Sequence, residues 1–322
     1  MKRTDAETNQ GIHSEYLRRE WLIGSGALVA GVFLKEQRGE AASEVGFVDA
    51  HVHVWPKVSD DYPLASEYKP NDVVPNSFTP SELFNTCRPS FVQRVVLIQM
   101  SFFGFDNRYM LDSIAQYPKY LAGVAIVDHQ AKDVAEVMTN LRAKGVRGYR
   151  LYANAANVAG WGSTPGIHTM FSAAAQTNQS ICLLSDPEAL PGIDAMMAKY
   201  PDTTVVIDHF SRIGMKGDVS KSDLENLCRL ARFRNVYVKT SAFYALGSKK
   251  SPYKDLLPMI RTLRDAFGAK RLMWGSDCPY QVQAPHTYGD SIALIRDHAD
   301  FLSDEEKRSI LAGTAESLFF SN

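Results

Sequence analysis

From Gly46 to the end of the chain, short runs of aliphatic and β-branched residues alternate with amphipathic stretches. The runs have the length of strands, and near-continuous apolar strands separated by helices indicate a parallel sheet with helices on both faces. Eight strands are predicted, at Phe47–Trp55, Gln93–Met100, Leu121–Asp128, Val146–Tyr152, Ser180–Ser185, Thr203–Phe210, Asn235–Ser241 and Arg271–Asp277. Helical patterns lie between them, including Asp133–Lys144, Ala189–Tyr200, Ser222–Phe233 and Tyr253–Phe267.

The number of these units favours a closed sheet. Eight strand–helix units over about 250 residues are typical of a (β/α)8 TIM barrel. The competing α/β architecture is an open doubly wound sheet, which would carry a glycine-rich phosphate loop after its first strand. The segment His51–Trp55 at that position contains no glycine. The pattern therefore predicts a TIM barrel over residues 46–322.

The first 45 residues have a different pattern, which is typical of an export signal. Arg18 and Arg19 precede the uncharged segment Trp21–Leu34, which is too short to span a bilayer of about 30 Å comfortably. A twin arginine before such a segment addresses a protein to the twin-arginine export route, and small residues predict cleavage near Ala41. Residues 1–45 are therefore predicted to be a signal segment and linker of an exported, periplasmic protein. A buried N-terminal helix and an uncleaved membrane anchor are the alternatives.

The charge balance and the cysteine content limit which kinds of molecule the protein is expected to bind. The chain has 35 basic and 36 acidic side chains and a net charge of −1, which argues against a general nucleic-acid binder. Four cysteines lie far apart without a CxxC pair, so neither a disulfide scaffold nor a cysteine-based zinc site is indicated. We expect a small-molecule substrate, and contact with a membrane only through an uncleaved signal.

Barrel enzymes build their sites at the C-terminal ends of the strands, so polar residues there are the first candidates. In the first strand, the period of two predicts that Asp49, His51 and His53 share one face. Two imidazoles two residues apart on a strand can bind one metal ion or hold one anionic oxygen. We therefore predict that His51 and His53 belong to the functional site.

The fourth strand places Arg150 and Tyr152 on one face. A guanidinium in a barrel mouth needs an anionic partner, which is either a substrate carboxylate or a protein carboxylate such as Asp49 or Asp277. The long connection Ala153–His168 that follows contains Trp161 and exceeds the usual length of a βα loop. It is interpreted as a lid over the mouth or as a surface insertion, and Trp161 is predicted to bind substrate together with Arg150 and Tyr152.

Three later strands contribute further candidates. His209 is predicted to be in register with Val205 and Ile207 on the sixth strand, and Lys239 lies on the seventh strand. Asp277 ends the eighth strand, where a carboxylate facing histidines and an arginine suits a general base, a metal ligand, or both. A turn aspartate is the structural alternative for Asp277.

Several of these motifs together resemble the amidohydrolase-2 branch of the amidohydrolase superfamily. The resemblance covers nearly all of the chain from Gly46 to Phe320, in the family's order. It is carried by the segments Phe47–His53, Gly148–Leu151, Asp208-His209, Trp274–Pro279 and Leu311–Phe319. The resemblance implies a metal-type hydrolase barrel, in a group whose members open lactones or decarboxylate aromatic and unsaturated acids.

Departures from the wider superfamily bear on the metal. Its two-metal members carry a carbamylated lysine at the end of the fourth strand, where this chain has Arg150, so a two-metal site is not expected. The fifth strand, 181–186, has no histidine. His51, His53 and Asp277, with His209 as a fourth, could hold one divalent ion, most readily zinc. A reaction without metal is an equally open alternative, because related lactonases include metal-free examples.

The leading functional hypothesis is a lactone or carboxylic-ester hydrolase. Asp277 would activate water, and the carbonyl would be polarised by His51, His53 and His209 or by a zinc ion that they hold. Arg150 with Lys239 would hold an anionic lactone or sugar acid. One alternative is a metal-dependent decarboxylase of an unsaturated or aromatic acid. An exported, non-catalytic barrel that binds a sugar acid or a metal is the alternative of another class.

Overall fold

A computed structural model describes residues 46–321, so the predicted signal segment lies outside the described residues. Eight parallel strands pair in chain order to form a nearly closed barrel, consistent with the predicted TIM barrel. The strands are β1 (Phe47–Val52), β2 (Val92–Ile98), β3 (Leu121–Ala125), β4 (Val146–Ala153), β5 (Ser180–Ser185), β6 (Thr204–Ile207), β7 (Val236–Ser241) and β8 (Leu272–Gly275).

Helices follow each strand and pack on the outside of the barrel. They are α1 (Pro80–Cys87), α2 (Arg108–Gln116), α3 (Val134–Ala143), α4 (Ala155–Trp161), α5 (Pro165–Thr177), α6 (Leu190–Lys199), α7 (Lys221–Arg229), α8 (Leu257–Phe267), α9 (Tyr288–Arg296), α10 (Asp304–Arg308) and α11 (Thr314–Phe319). Within residues 46–321, no helix has the length and apolar character needed to cross a bilayer.

The first and last strands meet just beyond their regular ends. Val52 forms a parallel bridge with Cys278, and the amide of His53 donates to the Cys278 carbonyl at 2.8 Å. The amide of Asp277 donates to the His51 carbonyl, also at 2.8 Å. These bonds hold the segments that follow β1 and β8 side by side. They thereby bring together the predicted site segments at the two ends of the barrel domain's sequence.

Side chains on the two faces of the strands form two apolar clusters. The cluster inside the barrel includes Val48, Ala50, Val206 and Met273, and the C-terminal helix α11 adds Phe319 to it. The larger cluster lies between the strands and the helices. Because barrel interiors are filled by side chains, a functional site is expected at the C-terminal ends of the strands.

The connection after β4, which was interpreted as a lid or a surface insertion, contains helix α4. Helix α4 begins after Asn154, whose side-chain oxygen accepts a hydrogen bond from the Asn157 amide at 2.8 Å. Such a cap satisfies an otherwise unpaired amide of the first turn. Trp161 ends this helix, is 5% exposed, and packs near Phe171 in the outer cluster. The helix therefore packs on the barrel through its buried residues Val158 and Trp161.

Candidate active site

A cavity of about 640 Å³ opens at the C-terminal ends of the strands. Its polar lining comes from β4 and from the segments that follow several strands, and its apolar wall comes from residues such as Met100, Ile126 and Leu184. The polar residues are His53, Tyr68, Ser101, Arg150, Tyr152, His209, Arg212, Tyr244, Asp277 and Tyr280. A mostly apolar cavity with a few convergent polar groups is typical of a small-molecule site.

Three imidazoles converge on one carboxylate oxygen in this cavity. Asp277 Oδ1 lies 3.1 Å from His53 Nε2, 3.5 Å from His51 Nε2 and 3.8 Å from His209 Nε2. All four side chains are almost completely buried. Residues more than two hundred positions apart in the sequence therefore meet around a single point.

The first strand places its two histidines and its aspartate on different faces, which corrects the predicted alternation. The pairing of β1 with β2 is irregular between Asp49 and Val52. Asp49 consequently accepts hydrogen bonds from the Ser276 amide at 2.8 Å and from Tyr288 of α9 at 2.7 Å. An irregular register shifts the side-chain alternation along a strand, so His51 reaches the site while Asp49 supports the barrel wall.

His209 reaches the site by a different route from the one predicted. Val205 and Ile207 belong to the outer cluster, so a histidine in register with them would point away from the cavity. The strand instead ends at Ile207, and His209 has a left-handed φ of 50°. This turn brings its ring into the cavity, where Nδ1 lies 2.7 Å from Ser241 Oγ.

The alternation on β6 instead turns Asp208 inward, next to Lys239 of β7. Their charged groups are 3.0 Å apart and neither side chain is exposed. Lys239 Nζ also lies 3.2 Å from His51 Nδ1. Lys239, which was predicted to bind substrate, is fully buried and is not among the residues that line the cavity.

The protonation states follow from burial and from neighbouring charges. Burial alone would raise the pKa of Asp277, but the neighbouring His209 and the hydrogen bond with His53 outweigh it and hold that pKa well below its usual range. Tyr244 adds a hydrogen bond of 2.7 Å to Asp277 Oδ2. Burial lowers the pKa of both His51 and His209. At neutral pH the site therefore contains the ionised Asp277 beside the neutral rings of His51 and His209.

The hydrogen bonds of the two His53 ring nitrogens indicate whether the site could hold a cation. His53 Nδ1 lies 2.8 Å from the Ile98 carbonyl oxygen, which only accepts, so Nδ1 carries a proton. In a neutral ring Nε2 is then proton-free, yet it faces the ionised Asp277 at 3.1 Å. Two acceptors at this distance require a proton or a cation between them. His51, His53 and Asp277 each offer one ligand atom, all within 4.8 Å of one another, and could together hold one metal ion.

The Arg150 guanidinium lines the cavity and forms no salt bridge among residues 46–321. The structural alternative for it, an ion pair with Asp49 or Asp277, is therefore not formed there. Arg212 lies nearby in the same cavity but is paired with Asp186, whose Oδ1 accepts from its Nε at 2.7 Å. Tyr152 joins that pair, because its hydroxyl donates to Asp186 Oδ2 at 3.1 Å.

Four functional candidates were absent from the sequence prediction. Asp208 could have been found, because the alternation on β6 places it on the same face as Val206. Arg212, Tyr244 and Tyr280 lie in loops without a periodic pattern, so the sequence carries no signal for them. Trp161 was predicted to bind substrate, but it is packed in the outer cluster and does not line the cavity.

Known proteins resemble this chain over most of its length. The family model described as Amidohydro_2, amidohydrolase, matches residues 48–320. An L-fucono-1,5-lactonase of Burkholderia ambifaria is 30% identical over 277 residues, which cover 83% of this chain and 93% of that protein. A 4-sulfomuconolactone hydrolase of Rhizobium radiobacter is 27% identical over 237 residues, which cover 73% of this chain and 76% of that protein.

A solved structure agrees with these matches. The crystal structure of a probable 2-pyrone-4,6-dicarboxylic acid hydrolase from Acinetobacter baumannii, with citric acid bound, has a TM-score of 0.72 and 26% identity to this chain. The match covers 85% of this chain and 99% of that one. The resemblance predicted from the motifs is confirmed: the chain belongs to the amidohydrolase-2 family and is a hydrolase.

Proposed function

We propose that this hydrolase opens the ring of a lactone that carries a carboxylate group. The observation that carries the proposal is that three histidines converge on Asp277 at a cavity lined by Asp277, His53, His209 and the guanidinium of Arg150. The similar proteins support the reaction class, because two of them are named as lactone hydrolases. The structure of the similar probable 2-pyrone-4,6-dicarboxylic acid hydrolase contains bound citric acid, which is an organic polyacid.

Ring opening needs a base for water and a donor for the oxygen that becomes negative. Asp277 is ionised and buried, so it can take a proton from water as the water oxygen attacks the lactone carbonyl carbon. His209 lines the same cavity and can donate a hydrogen bond to the carbonyl oxygen as charge develops there. When the ring C–O bond breaks, Asp277 returns its proton to the leaving oxygen, and the product is a hydroxy acid.

Arg150 would select the substrate. A guanidinium and a carboxylate form charge-assisted, often bidentate hydrogen bonds. Arg212 is already paired with Asp186. Among the residues lining this cavity, Arg150 is therefore the arginine that has no carboxylate partner. We expect the substrate to place one carboxylate at Arg150, its lactone carbonyl at Asp277 and its less polar part against Met100 and Leu184.

A divalent metal would fit at His51, His53 and Asp277. Imidazole and carboxylate ligands suit zinc among the common metals, and a bound zinc ion supplies carbonyl polarisation and a more acidic water. With or without a metal, Asp277 accepts the proton from water and Arg150 orients the substrate. The twin arginine at Arg18 and Arg19 supports the further proposal that the enzyme acts after export to the periplasm.

The test is a panel of five- and six-membered lactones, each offered as a free carboxylate and as its methyl ester. Acid release is followed with a pH indicator, with and without a chelator. We expect hydrolysis of at least one carboxylate lactone, with a kcat/KM at least about tenfold above that of its ester, because one charge-assisted contact contributes about 1.5–3 kcal/mol. The proposal is wrong if the folded protein hydrolyses no member of the panel, or if it releases carbon dioxide instead.

A further inference from the structure

The buried ion pair between Lys239 and Asp208 lies directly behind the cavity. Neither side chain is exposed, and neither lines the cavity wall. Burying two charges is costly and is often no better for stability than apolar packing. The pair touches His51, whose ring is also fully buried. Its effect on the site is therefore transmitted through that ring.

The geometry determines which nitrogen of His51 carries the proton. Lys239 Nζ lies 3.2 Å from His51 Nδ1, and an ammonium group can only donate. Asp208 Oδ1 lies farther from the same nitrogen, at 3.5 Å, which is beyond the usual range for an N–H···O bond. His51 Nδ1 therefore accepts from Lys239, and in the neutral ring the proton is on Nε2.

That proton has two consequences at the other side of the ring. Nε2 faces Asp277 Oδ1 at 3.5 Å, which is also beyond the usual range for a hydrogen bond, and it has no hydrogen-bond partner among the described residues. It thus points an N–H group toward the proposed base without bonding to it. A nitrogen that carries a proton has no lone pair to offer, so His51 can ligate a metal through Nε2 only after its proton moves to Nδ1.

We propose that Lys239 is a positioning residue that fixes His51 as the Nε2–H tautomer. His51 then points its Nε2–H group toward Asp277 and ligates a metal poorly. Without Lys239, the ring could place its proton on Nδ1 and donate to Asp208, which is the carboxylate–histidine arrangement that supports metal ligands. The catalytic consequence rests on the proposed lactone hydrolysis, whereas the tautomer and the metal affinity do not.

The first measurement uses the unchanged protein. Histidine labelled with ¹⁵N distinguishes a protonated from an unprotonated ring nitrogen by NMR, and the resonances of His51 are assigned by their loss in His51→Gln. In the chelator-treated protein we expect protonated Nε2 and unprotonated Nδ1. A proton on Nδ1 would overturn the proposal without any variant of Lys239.

The second measurement compares Lys239→Met with Asp208→Asn. The methionine nearly fills the lysine's volume but cannot donate, so we expect the His51 proton to move to Nδ1 and zinc affinity to rise about 10–100-fold. Asp208→Asn keeps the lysine donor, so the proton should stay on Nε2 and zinc should not bind more tightly. Removal of a positive charge would by itself strengthen zinc binding, but it would not move the proton.

These outcomes separate the proposal from a purely structural role. Circular dichroism and thermal unfolding establish that each variant folds, and the wild-type spectrum decides if Lys239→Met does not. In a folded Lys239→Met, an unchanged tautomer contradicts the proposal even if activity falls. A moved proton with lower kcat and unchanged KM supports it. If no lactone is hydrolysed by any form, the proposed function fails while the tautomer result stands.

Discussion

Replacing Asp277 by Asn removes the proposed base with little change in shape. The amide keeps an acceptor for the Tyr244 hydroxyl, which now donates to Oδ2 at 2.7 Å. It loses the negative charge that three imidazoles approach within 3.1, 3.5 and 3.8 Å. A positioned general base contributes about 10²–10⁴-fold to the rate, or about 3–5 kcal/mol of activation free energy. We therefore expect kcat on the best carboxylate lactone to fall by about three orders of magnitude.

The assay is initial-rate hydrolysis of that lactone, fitted for kcat and KM separately. KM should change little, because Arg150 and the apolar wall bind substrate before the proton moves. Tyr244→Phe is the matched control: it removes the hydrogen bond to Oδ2, leaves the carboxylate in place and should raise the pKa of Asp277. We expect a smaller loss of kcat and an acid limb of the pH profile at higher pH than in the wild type. An Asp277→Asn enzyme within tenfold of the wild-type kcat would refute the assigned role.

Three further predictions concern the proposed substrate contact of Arg150, the close approach of β8 to β1 at Gly275, and the buried carboxyl group of Asp49. Arg150→Met should raise KM for the carboxylate lactone about 10–100-fold, because a charge-assisted contact is lost. The kinetics on the methyl ester should stay nearly unchanged. Equal effects on acid and ester would contradict carboxylate recognition. A Cβ at Gly275 would come within 2.8 Å of the His51 Cβ, so Gly275→Ala should lower the unfolding free energy by about 1–3 kcal/mol and also lower kcat. The control is Gly160→Ala, whose Cβ would meet no atom within 4 Å and which should change neither quantity. Denaturant unfolding and initial rates measure the two effects. Burial raises the pKa of Asp49 from 3.8 to about 6, so the folded protein holds this proton more tightly than the unfolded chain does. Ionisation then disfavours the folded state, and the wild type should lose about 3 kcal/mol of stability relative to Asp49→Asn between pH 3 and 7, most of it between pH 4 and 6. A pH-independent difference in chemical denaturation would show that hydrogen bonding to Asp49 offsets its burial.

The amino-acid sequence by itself was sufficient to predict the barrel and the strands that bear the site. Apolar runs with the length of strands are a local property, and β5 was predicted with its observed bounds, Ser180–Ser185. The opening histidines and the closing Asp277 were also expected to meet, because parallel strands of a barrel end at a common mouth. Each of these inferences depends only on periodicity and on the geometry of the regular fold.

The tertiary structure decided which side chains actually face the cavity. Period-two alternation fails where the register of β1 shifts and where β6 ends, so Asp49 lies outside the site and His209 enters it through a left-handed turn. Arg212 and Tyr244 come from loops, whose path depends on packing against the rest of the barrel. Trp161 is buried because helix α4 packs on the barrel's outer layer, a contact that no local pattern of the connection encodes.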